Sequence, residues 1–154
     1  MAEESNNKFR DLLSGFEKAC RARGLRLTHQ RLEIFKRLAE RPSHPTAEDI
    51  YRKVRRNLRT ISLDTVYRTL STFEDHGLIR RIQAVDNVAR FDTNLHPHHH
   101  LICIKCKKIE DFYWPDFDEL AYPESATEWG KIDSGHVELW GYCRKCRRKL
   151  KKVK

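Results

Sequence analysis

The chain has 154 residues, 39% of them hydrophobic, and a formal net charge of +9 at pH 7. That length holds one ordinary domain or two small ones. The composition excludes a helical membrane protein, because no apolar run approaches the roughly 20 residues that a spanning helix needs. The opening Met1-Ala2-Glu3-Glu4-Ser5-Asn6-Asn7 is polar and acidic, unlike a secretory signal, so a cytoplasmic location is expected.

Charge is unevenly spread. Residues 1–92 carry 19 basic and 13 acidic side chains, residues 93–142 carry 4 and 9, and the last twelve residues carry 8 basic side chains and no acid. A basic front and tail around an acidic middle suit a polyanion at one end and cations in the body.

In chain order, Phe9, Leu12, Leu13, Phe16 and Cys20 recur at helical spacing and predict a helix over 8–23, ended by Gly24. Thr28 is a candidate N-cap for a second helix, with Leu32, Phe35 and Leu38 inward and a stop before Pro42. Thr46-Ala47-Glu48-Asp49 resembles a capping box and opens a third helix through about Asn57. Ser62 or Asp64 caps a fourth, from about Thr65 to His76, stopped by Gly77. Residues 78–82 and 88–92 then form a hairpin around a turn near Asp86-Asn87. Short helices followed by a hairpin are the parts of a winged helix-turn-helix, and the change of composition at Thr93 to Pro97 places a domain boundary after residue 92.

The second half predicts strands over His100–Ile104 and Lys108–Tyr113 around a Cys-x-x-Cys turn. Next come a helix opened by Pro115 with Phe117, Leu120 and Ala121 on one face, and a strand over His136–Tyr142. The expected fold class is therefore α+β: a winged-helix domain over 1–92 and a small α/β domain over 93–154, with a basic tail that is either a phosphate contact or a solvated end.

Three sets of residues carry chemistry. On the fourth helix Val66, Leu70 and Phe73 face a core, while Asp64, Tyr67, Arg68 and Ser71 form the opposite stripe. Arg can pair with guanine edges and a tyrosine ring can touch a thymine methyl; Arg26, ahead of the second helix, is a candidate minor-groove contact. Cys103 and Cys106, with Cys143 and Cys146, make two knuckles that suit the tetrahedral thiolate set of structural zinc. Disulfides are disfavoured in a cytosolic chain, and Cys20 is expected to be inert core. In the third set, His98 and His100 share a face of an extended strand while His99 points away. Two imidazoles are half a site; the candidates for the rest are Asp92, Asp111 and His44, a set suited to iron(II) or manganese(II).

These residues resemble the ferric uptake regulator family along essentially the whole chain. The resemblance rests on Gly24-Leu25-Arg26-Leu27-Thr28-His29-Gln30-Arg31, His44-Pro45-Thr46-Ala47-Glu48-Asp49-Ile50-Tyr51, Thr65-Val66-Tyr67-Arg68-Thr69-Leu70 and the run from His98 to Cys106. It implies an N-terminal winged helix, a C-terminal dimerisation domain and a sensory metal site between them. It also implies Tyr67 and Arg68 in the major groove, Arg26 in the minor groove, and zinc on all four paired cysteines. Its peroxide-sensing branch uses His44, Asp92, His98, His100 and Asp111 as regulatory ligands. Asp111 favours that branch over iron sensors, which usually have glutamate there, whereas Arg68 looks like the iron and zinc regulators. The additional site of iron regulators is altered: His99 replaces an aspartate, Asp118 a glutamate, and His136 is displaced by one position.

The expected function is a homodimeric, metal-dependent repressor on palindromic operator DNA that senses peroxide through oxidation of His44 or His98. Simple iron sensing is the alternative. A zinc metallohydrolase would need a general base in a substrate cleft, and the sequence supplies no such pattern. A structural zinc protein that binds DNA constitutively would leave the histidine cluster unused.

Overall fold

The structure, a computed structural model, describes residues 2–40, 44–83 and 87–151. The chain divides into two compact units, Met1–Leu95 and His96–Lys154, and mixes helix with antiparallel and parallel strand pairs in an α+β fold. No described helix is long and apolar enough to cross a membrane.

The first unit runs α1 (Ala2–Ala22), α2 (His29–Ala39), α3 (Ala47–Val54), α4 (Leu63–Asp75), β1 (Arg80–Gln83) and β2 (Ala89–Asp92). Helix α1 starts six residues before the position its apolar pattern predicts. The added residues include Ala2, Glu3 and Glu4, residue types that favour helix. Its end is a Schellman motif: Gly24 at φ 68° lets its N–H reach the Arg21 carbonyl (3.1 Å) while Leu25 N–H reaches Cys20 (2.9 Å). Helix α4 ends the same way at Gly77, with bonds from Gly77 to Glu74 and from Leu78 to Phe73.

Caps set the other boundaries. Thr28 accepts from Arg31 N–H, and Thr46 and Asp49 form a reciprocal capping box. Ser62, rather than Asp64, caps α4, which leaves Asp64 in the exposed first turn. Helix α3 stops at Val54, short of Asn57, whose side-chain amide instead donates to buried Glu33 (3.2 Å). On α2 the inward positions are Ile34, Phe35 and Leu38, with Leu32 only half-buried.

Phe16, Phe35 and Phe73 join α1, α2 and α4 in one aromatic cluster, the first two stacked and the third edge-on to both. Each fully buried ring stabilises the fold by about 1.5–3 kcal/mol. Cys20 is fully buried beside this core, and burial pushes its thiol pKa up. Strands β1 and β2 pair antiparallel, Arg81 opposite Phe91, as the wing; Asp86 of the expected turn lies outside the described residues.

The second unit runs β3 (His99–Cys103), β4 (Ile109–Phe112), α5 (Pro115–Asp118), α6 (Glu124–Trp129), β5 (Glu138–Gly141) and α7 (Arg144–Lys151). Its sheet has the order β4-β3-β5, with β3–β4 antiparallel and β3–β5 parallel. Two elements differ from expectation. The helix at Pro115 is a single turn and leaves Leu120 64% exposed, because α6 is a separate helix beginning after Pro123. The basic tail forms α7 through Lys151, with Cys146 buried in its first turn.

Candidate metal centres and nucleic-acid interface

In the second unit, parallel pairing brings the two cysteine knuckles together. Cys103 lies opposite Gly141, so β3 and β5 end at the same edge, and each runs directly into a Cys-x-x-Cys turn. The four cysteines are free thiols whose sulfurs lie within 4.8 Å of one another, with Cys106 Sγ and Cys143 Sγ 3.8 Å apart. Backbone N–H groups, that of Cys106 foremost, draw the Cys103 thiol down to about 6. Burial, then hydrogen bonding with the other three sulfurs, pushes Cys146 up to about 12. A dication is the simplest way to hold four thiolates at one point, and a compact all-sulfur set fits structural zinc.

The same sheet assembles an imidazole–carboxylate group. His100 stands opposite Asp111 in the β3–β4 register, and His98 precedes His100 by two residues on the same face. Their Nε2 atoms are 3.0 Å apart, and Asp111 Oδ1 lies 3.9 Å from His98 Nε2 and 3.8 Å from His100 Nε2. His98 Nδ1 is 2.7 Å from the His96 carbonyl, which can only accept, so Nδ1 carries the proton and Nε2 presents a lone pair. Both histidines are buried. Two imidazole nitrogens and a carboxylate oxygen directed to one place fit a borderline divalent cation.

The first unit holds a second pair. Thr46 bridges antiparallel to Arg90, and Phe91 N–H donates to the Pro45 carbonyl (3.1 Å). Continuing that register outward sets His44 against Asp92, with Nε2 3.7 Å from Oδ2 and both residues buried. His44 is held at φ 44°, a left-handed conformation that few non-glycine residues adopt and that often marks a functional position. The Asn94 N–H donates to Asp92 Oδ1 (2.8 Å), fixing the carboxylate with Oδ2 toward His44.

His99 lies on the opposite face of β3, fully buried among Phe112, Trp114 and Phe117. Its Nδ1 accepts from Val137 N–H (3.1 Å) and its Nε2 is 3.4 Å from Asp118. His136, by contrast, is largely exposed beside Glu138. Among the described residues, these three do not form a cluster able to hold a metal.

On α4, Val66, Leu70 and Phe73 are fully buried, while Asp64, Tyr67 and Arg68 are exposed and Ser71 is half-buried. Arg68 Nε pairs with Asp64 one turn earlier (2.9 Å), and Tyr67 Oη donates to Glu48 of α3 (2.5 Å). Arg26 is exposed in the turn before α2. Sequence reasoning missed Glu48 and the His96 carbonyl. The Thr46-Ala47-Glu48-Asp49 run signalled only a cap, and a main-chain oxygen carries no sequence signal.

A helix with one buried and one polar exposed stripe, followed by a wing, and a second unit built around metal-fitting donors define a class: winged-helix regulators equipped for metal. The sequence pattern of the Ferric uptake regulator family matches residues 22–139, and the chain belongs to that family. It is 33% identical over 145 residues to the peroxide-responsive repressor PerR of Staphylococcus epidermidis, spanning 94% of each chain. Among solved structures it resembles a zinc-bound manganese uptake regulator (31% identity, TM-score 0.64, 83% of this chain and 98% of that one). It also resembles the ferric uptake regulator of Francisella tularensis with iron (27% identity, TM-score 0.69, 80% and 96%).

Proposed function

We propose that this chain is a cytoplasmic, metal-dependent transcriptional repressor that binds palindromic operator DNA as a homodimer and loses that binding when peroxide oxidises its regulatory centre. The observation that carries this reading is the His98–His100–Asp111 group, three donors directed to one place with one imidazole tautomer already set. Such a group is short of a full ligand set for iron(II) or manganese(II), and so is the His44–Asp92 pair. In this reading His44, Asp92, His98, His100 and Asp111 are the regulatory ligands, and metal binding is coupled to DNA binding. Coupling of about 1–3 kcal/mol would change DNA affinity roughly 5- to 150-fold.

Zinc on Cys103, Cys106, Cys143 and Cys146 is the permanent metal in this reading. Among the described residues the second unit buries few apolar side chains, Ile102 and Ile109 chief among them, so it needs a staple. It also exposes Leu139 and Trp140 on β5, an outer strand of the sheet, which supports docking of a second copy there. Two copies would present two α4 helices, with Asp64, Tyr67, Arg68 and Ser71 toward bases and Arg26 toward the adjacent minor groove.

The peroxide arm draws on the similarity to a peroxide-responsive repressor and on Asp111. Iron(II) held by these ligands would activate peroxide beside their rings, so that one peroxide oxygen enters an imidazole, the other leaves as water, and the ring itself gives up the two electrons. His44 or His98, having taken up that oxygen atom, becomes a poorer ligand and releases the DNA-binding state. The test is peptide mass spectrometry of the iron(II) form after peroxide: a gain of one oxygen at His44 or His98 that tracks lost DNA binding is expected. Lost binding with both histidines unmodified overturns the mechanism. Binding that follows free iron(II) and ignores micromolar peroxide identifies an iron sensor instead, the reading that Arg68 favours.

A further inference from the structure

Tyr67 is an unusual reader in one respect: its own helix does not hold it. The ring is 41% exposed on the outer stripe of α4, and its hydroxyl bond crosses to a residue 19 positions earlier, Glu48 on α3. Arg68 pairs instead with Asp64 on its own helix, between side chains 81% and 71% exposed, an ordinary surface pair of little energetic weight.

The α3 end of the Tyr67 contact is rigid. Glu48 lies in the first turn of α3, between the two members of the capping box, and the neighbouring Ala47 and Ile50 are fully buried. A carboxylate there is favoured by the helix dipole. The bond from Tyr67, followed by a backbone N–H, lowers the Glu48 pKa, and the same bond raises that of Tyr67. Donor and acceptor are thus a protonated phenol and an ionised carboxylate, the stronger and shorter kind of hydrogen bond. Yet a carboxylate on a surface that meets phosphates weakens general attraction to DNA. Its presence is physically sensible if it increases selectivity at the expense of that attraction.

We propose that Glu48 is a positioning residue for sequence recognition: by holding the Tyr67 hydroxyl it fixes the ring in the orientation that meets a base edge. This rests on the reading of Tyr67 as a base contact. An aromatic ring has few torsions, and freezing them before binding removes an ordering cost. The benefit goes to the one base position where ring and thymine methyl meet, not to phosphates, which any sequence presents.

The experiment uses the full chain loaded with manganese(II), a duplex selected by the wild-type protein from a random pool, a scrambled duplex, and single thymine-to-uracil replacements in the selected one. Glu48→Ala and Tyr67→Phe are each expected to weaken the selected duplex roughly 2- to 10-fold. The scrambled duplex should be bound as well as before, or better. The double variant should be no worse than either single one, and Glu48→Gln, which keeps an acceptor, should restore most of the loss. In wild type one uracil replacement should carry a penalty that vanishes in Glu48→Ala.

Additive losses, equal loss on both duplexes, or no loss in Glu48→Ala overturn the proposal. Tyr67→Phe keeps the ring at an exposed site, so it tests the bond even if Glu48→Ala folds poorly. Tyr67→Ala separates the two levels. Undiminished selectivity in that variant sinks the base-contact reading itself. Lost selectivity there, with Glu48→Ala and Tyr67→Phe unaffected, sinks only the positioning role.

Discussion

The Nε2 atoms of His98 and His100 face each other at 3.0 Å, while the His96 carbonyl holds the His98 proton on the far side of its ring. In a metal-free protein, two such nitrogens can satisfy each other only if His100 donates. A cation between them satisfies both without a proton, and this follows from alternation on β3 rather than from any distant contact.

Removing one member of this group should therefore weaken binding of the exchangeable metal and spare zinc. His98→Ala or Asp111→Asn is expected to weaken manganese(II) binding about 100-fold, at the upper end of what even supporting residues of metal sites cost. Calorimetric titration, with zinc content measured in parallel, checks this. His44→Ala and Asp92→Ala are expected to weaken the same binding event. Unchanged manganese(II) affinity in both would mean that the second unit binds its metal alone.

The thiol cluster should be the staple of the second unit. Cys106→Ser is expected to empty the zinc site and melt that unit at room temperature, because structural zinc contributes on the order of 10 kcal/mol at such sites. The first unit, with its own aromatic core, should stay folded. Metal analysis with far-ultraviolet circular dichroism, and protease mapping of which half is cut, read the outcome.

Acid stability should depend on Glu33. Buried on α2, it accepts from Lys36 (2.9 Å) and Asn57 (3.2 Å), and the Lys36 bond foremost lowers its pKa from the ordinary 4.5. A carboxyl with a depressed folded pKa stabilises the protein fully above its unfolded pKa, and that contribution disappears as pH falls through the folded value. Glu33→Gln should cost about 1–3 kcal/mol at neutral pH. The deficit should shrink as pH drops below about 4.5, a trend that thermal melts across the acid range would show.

Thr46 has two duties that one substitution can separate. It caps α3 and pairs with Arg90 next to His44. Thr46→Ala should cost about 1 kcal/mol from the lost cap. Thr46→Ser retains the cap and is expected to leave both melting temperature and manganese(II) affinity close to wild type.

What could be read along the chain was whatever depends on neighbours within a turn or two of backbone. The caps at Thr28, Thr46 and Ser62, the glycine stops at Gly24 and Gly77, the buried stripe of α4 and each Cys-x-x-Cys knuckle are of this kind. Local reasoning also erred where local signals compete. The run from Pro115 to Ala121 had helical apolar spacing, but α5 ends after one turn and a new helix begins past Pro123. The lysine- and arginine-rich tail lacked an apolar pattern, yet it forms α7 behind Cys143.

Tertiary structure decided which distant groups meet. His100 finds Asp111 through antiparallel register, His44 finds Asp92 through the Thr46–Arg90 bridge, and the two knuckles converge because β3 and β5 run parallel. Tyr67 meets Glu48 only because α3 and α4 pack side by side. The physical reason is that a one-residue slip of a strand turns every side chain to the opposite face. The sequence by itself therefore determined the donors and their local conformation, while the packing that fixes register determined which of them share a site.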